Sequence, residues 1–304
     1  MLYGSPLHRA KRKDRIMIKV IASDMDGTLL NDAHEIAPRT AEAVRRACAH
    51  GIRFIIATGR NLTQAMEQLK GFDLTCDYIL ASGAEVRDSA QQLVSRIHMD
   101  LNLCEELYEE LKKWSVSVIF STDQYDYRIG TPEQVKESII LQAQIFHANT
   151  TREEILNSPL YQRIKANTRG ILSMKELREA AVPVYKIFLF SDDFARLKRL
   201  EQVLSRDPRI AAASSFVDNL EITDVRAQKG PVLKAYIESL GYTMDEVLVL
   251  GDSMNDYSML SMDFGATVAM GNAVPEIKKA AKYVTKTNEE AGVAYVIEQL
   301  LSQR

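Results

Sequence analysis

The chain has 304 residues, enough for two domains and a substantial core. It is 46% hydrophobic and 26% charged with a formal net charge of -3, so there is no general electrostatic reason to bind nucleic acid or an acidic membrane surface. No apolar run reaches the roughly 18 residues a membrane helix needs, and Cys48, Cys76 and Cys104, scattered and without metal-ligand spacing, read as free thiols of a reducing, cytoplasmic setting.

In chain order, residues 1–16 are polar and basic with no hydrophobic core to follow, which excludes a secretory signal and predicts a disordered extension. The first strand is Ile18–Ser23, running into Asp24-Met25-Asp26-Gly27-Thr28. A helix over Pro38–His50 follows, with Pro38 in its first turn and Gly51 past its end. The second strand, Phe54–Ala57, ends at Thr58-Gly59-Arg60; a helix over Leu62–Lys70 leads to a third strand at Tyr78–Ala81, ending at Ser82-Gly83. Short β-branched runs alternating with helices are the pattern of a parallel sheet with right-handed crossovers.

The rhythm breaks over residues 87–223. Strand-like runs (Val116–Phe120, Tyr125–Tyr127, Lys186–Phe190) there mix with helical segments at Leu103–Trp114, Pro132–His147 and Phe194–Ser205. Some 135 residues require a core of their own, so this segment is read as an inserted α+β domain over the strand ends of an α/β core made of 17–86 and 224–304. The core rhythm resumes with a helix at Pro231–Leu240 and a strand at Val247–Leu250, ending at Gly251-Asp252-Ser253-Met254-Asn255-Asp256. Then come a helix at Tyr257–Ser261, a strand at Thr267–Met270, a helix at Pro275–Ala281, a strand at Tyr283–Thr285 and a last helix over Val293–Leu301.

Ligands of open α/β sheets bind at the carboxyl ends of strands, and three such ends here carry polar clusters. Asp24 and Asp26, two residues apart, are able to divide the work of nucleophile and general acid/base, although an isolated Asp-x-Asp also fits a solvated turn. Asp24 and Asp252 offer carboxylate oxygens of the kind Mg²⁺ prefers, with Asp256 able to hold a metal-bound water; helix capping by Asp252 or Ser253 is the plainer alternative. Thr58 is placed either to accept a phosphoryl oxygen or to cap the helix after it. Lys229 lies at a helix start, the wrong end for dipole stabilisation, and fits a lysine balancing clustered carboxylates and phosphate.

Together, Asp24-Met25-Asp26-Gly27-Thr28-Leu29-Leu30, Ala57-Thr58-Gly59-Arg60, Lys229-Gly230 and Gly251–Asp256 resemble the motifs of the haloacid dehalogenase superfamily of phosphatases. Val268-Ala269-Met270-Gly271-Asn272-Ala273 and Asn288-Glu289-Glu290-Ala291-Gly292-Val293-Ala294 narrow the resemblance to its Cof-type branch, which carries a type IIB cap. The resemblance covers nearly all of the chain beyond residue 16. It implies a doubly wound, Rossmann-like core with an inserted cap that closes over the site and sets specificity. It further implies a Mg²⁺-dependent phosphatase acting through an aspartyl phosphate on small cytosolic phosphometabolites, sugar phosphates first.

On that resemblance Asp24 is the nucleophile, and Asp26 protonates the leaving oxygen and then activates water. Thr58 and Lys229 hold the phosphoryl group, with Gly27, Gly59, Arg60, Ser82 and Asn255 as the phosphate- and substrate-binding positions. Mg²⁺ is expected at Asp24, Asp252 and Asp256 with the Asp26 carbonyl. Two positions depart from the family pattern: Ser82-Gly83-Ala84 stands where many relatives have Asn-Gly-Ala, and Ala227-Gln228 precede the lysine. In the insert, Tyr125, Tyr127, Arg128, His147 and Tyr161 carry polar tips suited to substrate, though strand faces and the insert's own core are competing destinations. A phosphosugar mutase and a non-enzymatic sensor of a phosphorylated metabolite are the alternatives, and nothing in the sequence sets an oligomeric state.

Overall fold

A computed structural model describes residues 17–146, 150–216 and 218–303. The extension at 1–16 and His147 therefore lie outside the described residues. The first part of the chain gives β1 (Val20–Ser23), α1 (Pro38–Ala49), β2 (Arg53–Ala57), α2 (Leu62–Leu69), β3 (Asp77–Leu80), β4 (Glu85–Arg87) and β5 (Leu93–Arg96). Pro38 opens α1 and Gly51, at φ +76, follows its end, because proline is pre-set for the first turn and glycine tolerates the left-handed exit.

The middle of the chain supplies α3 (Leu101–Leu111), β6 (Ser117–Thr122), β7 (Asp126–Ile129), α4 (Pro132–Phe146), α5 (Arg152–Asn157), α6 (Pro159–Asn167) and β8 (Thr168–Ile171). It continues with α7 (Met174–Glu179), β9 (Val184–Phe190), α8 (Phe194–Leu204), β10 (Ile210–Ala213) and β11 (Asn219–Asp224). The last part has α9 (Lys229–Ser239), β12 (Val247–Gly251), α10 (Tyr257–Leu260), β13 (Ala266–Ala269), α11 (Pro275–Ala280), β14 (Tyr283–Val284) and α12 (Gly292–Ser302).

Two compact units result: one takes the chain up to Arg96 and from Ala227 onward, the other is Ile97–Arg226. The first is built on an eight-stranded sheet in the order β14-β13-β12-β1-β2-β3-β4-β5. Its six strands from β14 to β3 are parallel, and β4 and β5 extend it as an antiparallel hairpin. Every residue of β1 and β12 is buried, as expected for central strands covered by helices on both faces. Successive strands run outward from β1 in one direction and from β12 in the other. The β1–β12 junction is thus the switch point of the sheet, where a crevice opens at the strand ends.

The second unit has a six-stranded sheet, β10-β11-β9-β6-β7-β8, antiparallel except for β7 with β8. Leu103, Leu107, Phe120, Leu177, Ile187, Leu189, Leu200 and Ile222 join in its main core. A smaller cluster of Ile139, Ile140, Ala143, Ile155 and Tyr161 holds α4, α5 and α6 together. Among the described residues no helix is long and apolar enough to cross a membrane.

Candidate active site

The register at the switch point pairs Ser23 with Leu250, so Asp24 and Asp252 emerge from adjacent strands. Beyond β1 the chain makes a single π-type turn, in which Leu29 N–H bonds the Asp24 carbonyl (3.3 Å) and Leu30 N–H the Met25 carbonyl (2.8 Å). π-type turns of this kind often mark functional sites. Gly27, at φ +76, is required twice over: a side chain there is strained, and its Cβ would lie 2.6 Å from an Asp252 carboxylate oxygen.

Four charged side chains meet in this corner. Lys229, the first residue of α9, is fully buried and donates from Nζ to Asp24 Oδ1 (2.6 Å) and Asp256 Oδ1 (2.7 Å). Asp252 accepts from Thr28 Oγ1 (2.7 Å) and Ser253 Oγ (2.8 Å). Asp256 Oδ2 accepts from the backbone N–H groups of Asp252 (3.0 Å) and Ser253 (3.1 Å). Asp256, with Ser253, therefore caps the short turn after β12 while its other oxygen faces Lys229.

The electrostatics follow from burial. Desolvation first, then the neighbouring Asp256 carboxylate, pushes Asp24 well above the usual range for an aspartate. The same two causes carry Asp252 up to about 7, against the hydrogen bonds from Thr28 and Ser253. Burial pulls Lys229 down, but Asp24 and Asp256 outweigh it and hold the ammonium charged. Asp26 is different: burial is overcome by Arg60 and His34, and its carboxyl sits well below the ordinary value. Arg60 grips it with both Nε (2.8 Å) and Nη2 (2.6 Å), and His34 Nδ1 stands 3.6 Å away.

Oxygens of Asp24, Asp252 and Asp256 lie within 4.8 Å of one another. Three buried carboxylates against one ammonium leave negative charge that low-dielectric surroundings tolerate poorly. The buried Asn255 Oδ1, in the same turn as Asp252, has no hydrogen-bond partner among the described residues. An all-oxygen, acidic donor set with a spare carbonyl oxygen nearby fits a hard divalent cation such as Mg²⁺. The Asp26 carboxylate is not part of this cluster; it is turned to Arg60, so only its main chain is left for the metal role.

Thr58 is fully buried at the end of β2, and its hydroxyl accepts from Arg60 N–H (3.2 Å). It does not cap α2; Asn61 does, in a capping box with Gln64. Arg60 and Gly59 complete the bend, with the Arg60 guanidinium spent on Asp26 rather than facing outward. Ser82 N–H bonds the Thr58 carbonyl (3.0 Å), and Ala81 and Ser82 take left-handed backbone conformations, φ +48 and +62. Two such residues in succession cost on the order of 1–3 kcal/mol each and persist only where their surroundings enforce them. Here Ala81 N–H bonds the Arg60 carbonyl (2.9 Å), tying the bend to the end of β2. Gly83 follows at φ +112, where a Cβ would lie 2.8 Å from the Gln228 backbone, next to Lys229.

Sequence reasoning missed Thr28 and Ser253 as partners of Asp252, and His34 beside Asp26. Thr28 was inside a recognised motif, but no spacing shows that it bonds a residue 224 positions away. Of the aromatic and basic residues noted in the insert, Tyr161 lies in the small helical cluster and Tyr127 packs on the main core of its unit. Arg128 is 2% exposed and donates to Ser138 Oγ (2.5 Å) and to Gln142. Tyr125 is stacked under the Arg169 guanidinium, 3.5 Å from its ring centre.

Three buried carboxylates and a buried lysine meeting at the switch point of a parallel sheet make a site suited to phosphoryl transfer. The family model for haloacid dehalogenase-like hydrolases matches residues 21–297, and the chain belongs to that family. It is a phosphatase by kinship: it is 30% identical over 288 residues to the 5-amino-6-(5-phospho-D-ribitylamino)uracil phosphatase YwtE of Bacillus subtilis, covering 94% of this chain and 99% of that one. Phosphatase YwpJ of the same organism is 30% identical over 295 residues, covering 93% and 100%. A solved haloacid dehalogenase-like hydrolase from B. subtilis superposes with a TM-score of 0.79 at 27% identity, over 92% of this chain and 99% of that one.

Proposed function

We propose that the protein is a Mg²⁺-dependent phosphomonoesterase that works through an aspartyl phosphate on Asp24. The observation that carries this reading is the Asp24 carboxylate, buried at the switch point with one oxygen on Lys229 and Asp26 two residues ahead. Lys229 holds Oδ1, which leaves Oδ2 to attack phosphorus; the P–O bond to the substrate alcohol breaks as the Asp24–phosphorus bond forms. Thr58, Lys229 and backbone N–H groups of the Asp24–Thr28 turn spread the charge of the transferring group, which is where phosphoryl transfer gains most of its rate.

Asp26 gives a proton to the departing alcohol oxygen, then takes one from the water that hydrolyses the aspartyl phosphate. Held by Arg60 it is a carboxylate, suited to the second step; the first requires it to leave the guanidinium and take up a proton. Asp24, Asp252 and Asp256, with the Asp26 carbonyl, would hold the divalent cation, which supplies charge neutralisation between carboxylates and phosphate when bound. Gly27, Gly59, Ser82 and Asn255 shape the phosphate pocket.

The second compact unit is proposed to carry the contacts that choose the substrate. Small cytosolic sugar or polyol phosphates are the favoured class, in keeping with the phosphoribityl compound in the name of YwtE. The test is phosphate release from a panel of phosphomonoesters, with Mg²⁺ or with EDTA. Release that depends on Mg²⁺ is expected; a folded, Mg²⁺-loaded protein silent across the panel refutes the reading.

Replacing Asp26 with alanine should discriminate among leaving groups. For alkyl phosphates, whose alkoxide needs a proton, a loss of roughly 10²–10⁴-fold in kcat is expected. For p-nitrophenyl phosphate, whose leaving group departs unprotonated, the loss should be much smaller. Equal losses on both would remove Asp26 from the acid role.

A further inference from the structure

Two motifs near the C-terminus have no part in the chemistry above, yet both reach the catalytic turn. Asn272 donates from Nδ2 to the Gly27 carbonyl (2.8 Å), and its Oδ1 accepts from the backbone N–H of Asn288 (3.0 Å). Asn288, only 7% exposed, donates from Nδ2 to the Leu30 carbonyl (3.2 Å) and to Asp32 Oδ1 (3.0 Å). Glu289 Oε1 accepts from Asp32 N–H (2.7 Å). The two loops are themselves joined, since Gly271 N–H bonds the Lys286 carbonyl (2.9 Å). The Gly27–Asp32 segment is therefore gripped at both ends by one polar chain.

Gly27 explains why such a grip is needed. Glycine crosses φ/ψ space with little steric cost, so the peptide between Gly27 and Thr28 has more than one accessible orientation. Turning it would swing the Thr28 N–H and disturb the Thr28 hydroxyl, which anchors Asp252. A side chain at 27 is forbidden by the close approach of Asp252, so stiffness has to come from outside the turn.

We propose that Asn272 and Asn288 are positioning residues that hold the Gly27–Thr28 peptide in the orientation the phosphoryl group requires. The proposal rests on the phosphatase reading above. Asn272 acts on the turn directly, and Asn288 acts by fixing Asn272 and the exit of the turn. The two should then behave as a unit, with effects that do not add.

The test uses the full-length enzyme as wild type, Asn272→Ala, Asn288→Ala and the double variant, with Lys278→Ala as control. Lys278 bonds the Gly271 carbonyl (2.6 Å) in the same loop but does not reach the turn. The readouts are kcat, KM, competitive inhibition by inorganic phosphate, and Tm. Asn272→Ala should lower kcat about tenfold, the scale of one lost hydrogen bond, and weaken phosphate inhibition by a similar factor. The double variant should fall within about twofold of the worse single, and Lys278→Ala within about twofold of wild type.

Asn272→Ala within twofold of wild type on both readouts overturns the proposal. So does an equal loss in Lys278→Ala, which would make the effect one of loop stability, and so do losses that multiply in the double variant. Asn288 is buried; should its variant fail to fold, Asn272, which is exposed, carries the test alone. A wild-type enzyme without phosphate release strikes at the phosphatase reading, whereas an active wild type with an unaltered Asn272→Ala strikes only at the brace.

Discussion

Asp24→Asn should remove turnover, by on the order of 10⁴–10⁶-fold as for other lost nucleophiles, while the protein stays folded. The amide keeps the size and shape of the carboxylate, and its oxygen still accepts from Lys229, which also retains Asp256. What is lost is the second carboxylate oxygen, the one the proposed mechanism uses to attack phosphorus. Folding should not suffer, because burial and Asp256 already make a charge at Asp24 costly.

The sign of the pH dependence follows. Asp24 and Asp252 are raised in the folded state, so the native protein keeps protons that the unfolded chain gives up. In the absence of metal, stability therefore falls as pH rises from the ordinary aspartate range of about 4 towards the Asp252 value of about 7. Asp24→Asn removes one of the two groups and should make that decline shallower. Tm measured in EDTA at pH 5 and pH 8, beside kcat, checks both statements. Wild-type-like turnover would overthrow the nucleophile, and a decline as steep as wild type would reject the electrostatic account.

Lys229→Met should be the most damaging substitution for stability. Lys229 is fully buried, and its two ion pairs are the only cationic contacts recorded for Asp24 and Asp256 among the described residues. Removing it leaves uncompensated buried carboxylates, a change that typically costs about 3–5 kcal/mol. Turnover should fall by at least about 10²–10³-fold as well, since the ammonium is the fixed positive charge nearest the nucleophile. A second substitution separates the two effects. Asp256→Asn in the Lys229→Met background removes one repelling charge, and its amide oxygen is still able to accept from the Asp252 and Ser253 N–H groups. It should recover part of the lost stability and none of the turnover. Urea denaturation of the three proteins beside their kcat decides; full stability in Lys229→Met would mean that the corner does not depend on its lysine.

How much of this was legible in the chain varies from element to element. β1, β2 and β12 were readable because buried parallel strands select continuous runs such as Val247–Leu250, and the polar residues that end them stand out against that background. The hairpin of β4 and β5 was not, since Leu93–Arg96 is exposed along its whole length and carries no burial pattern. β8 and β10 were equally silent: Thr168-Arg169-Gly170-Ile171 and Ile210-Ala211-Ala212-Ala213 contain residues of low strand preference and become strands by pairing with neighbours. Lys229 was expected near a helix start, and the structure makes it the first residue of α9.

The sequence by itself determined the chemistry on offer and the strand ends that carry it, because motif residues sit at fixed distances from apolar runs and their types dictate what they are able to bond. Tertiary structure alone decided which groups hold one another. Lys229 meets Asp24 across 205 positions, Thr28 meets Asp252 across 224, and Asn272 meets the Gly27 carbonyl across 245. Arg60, which reads as a phosphate ligand beside Thr58, is turned onto Asp26. Those pairings depend on the register of β1 against β12 and on the packing of loops from both ends of the chain. Coulomb and hydrogen-bond energies depend on separation in space, the hydrogen bond on contact within about 3 Å, and neither leaves a trace in the distance along the chain.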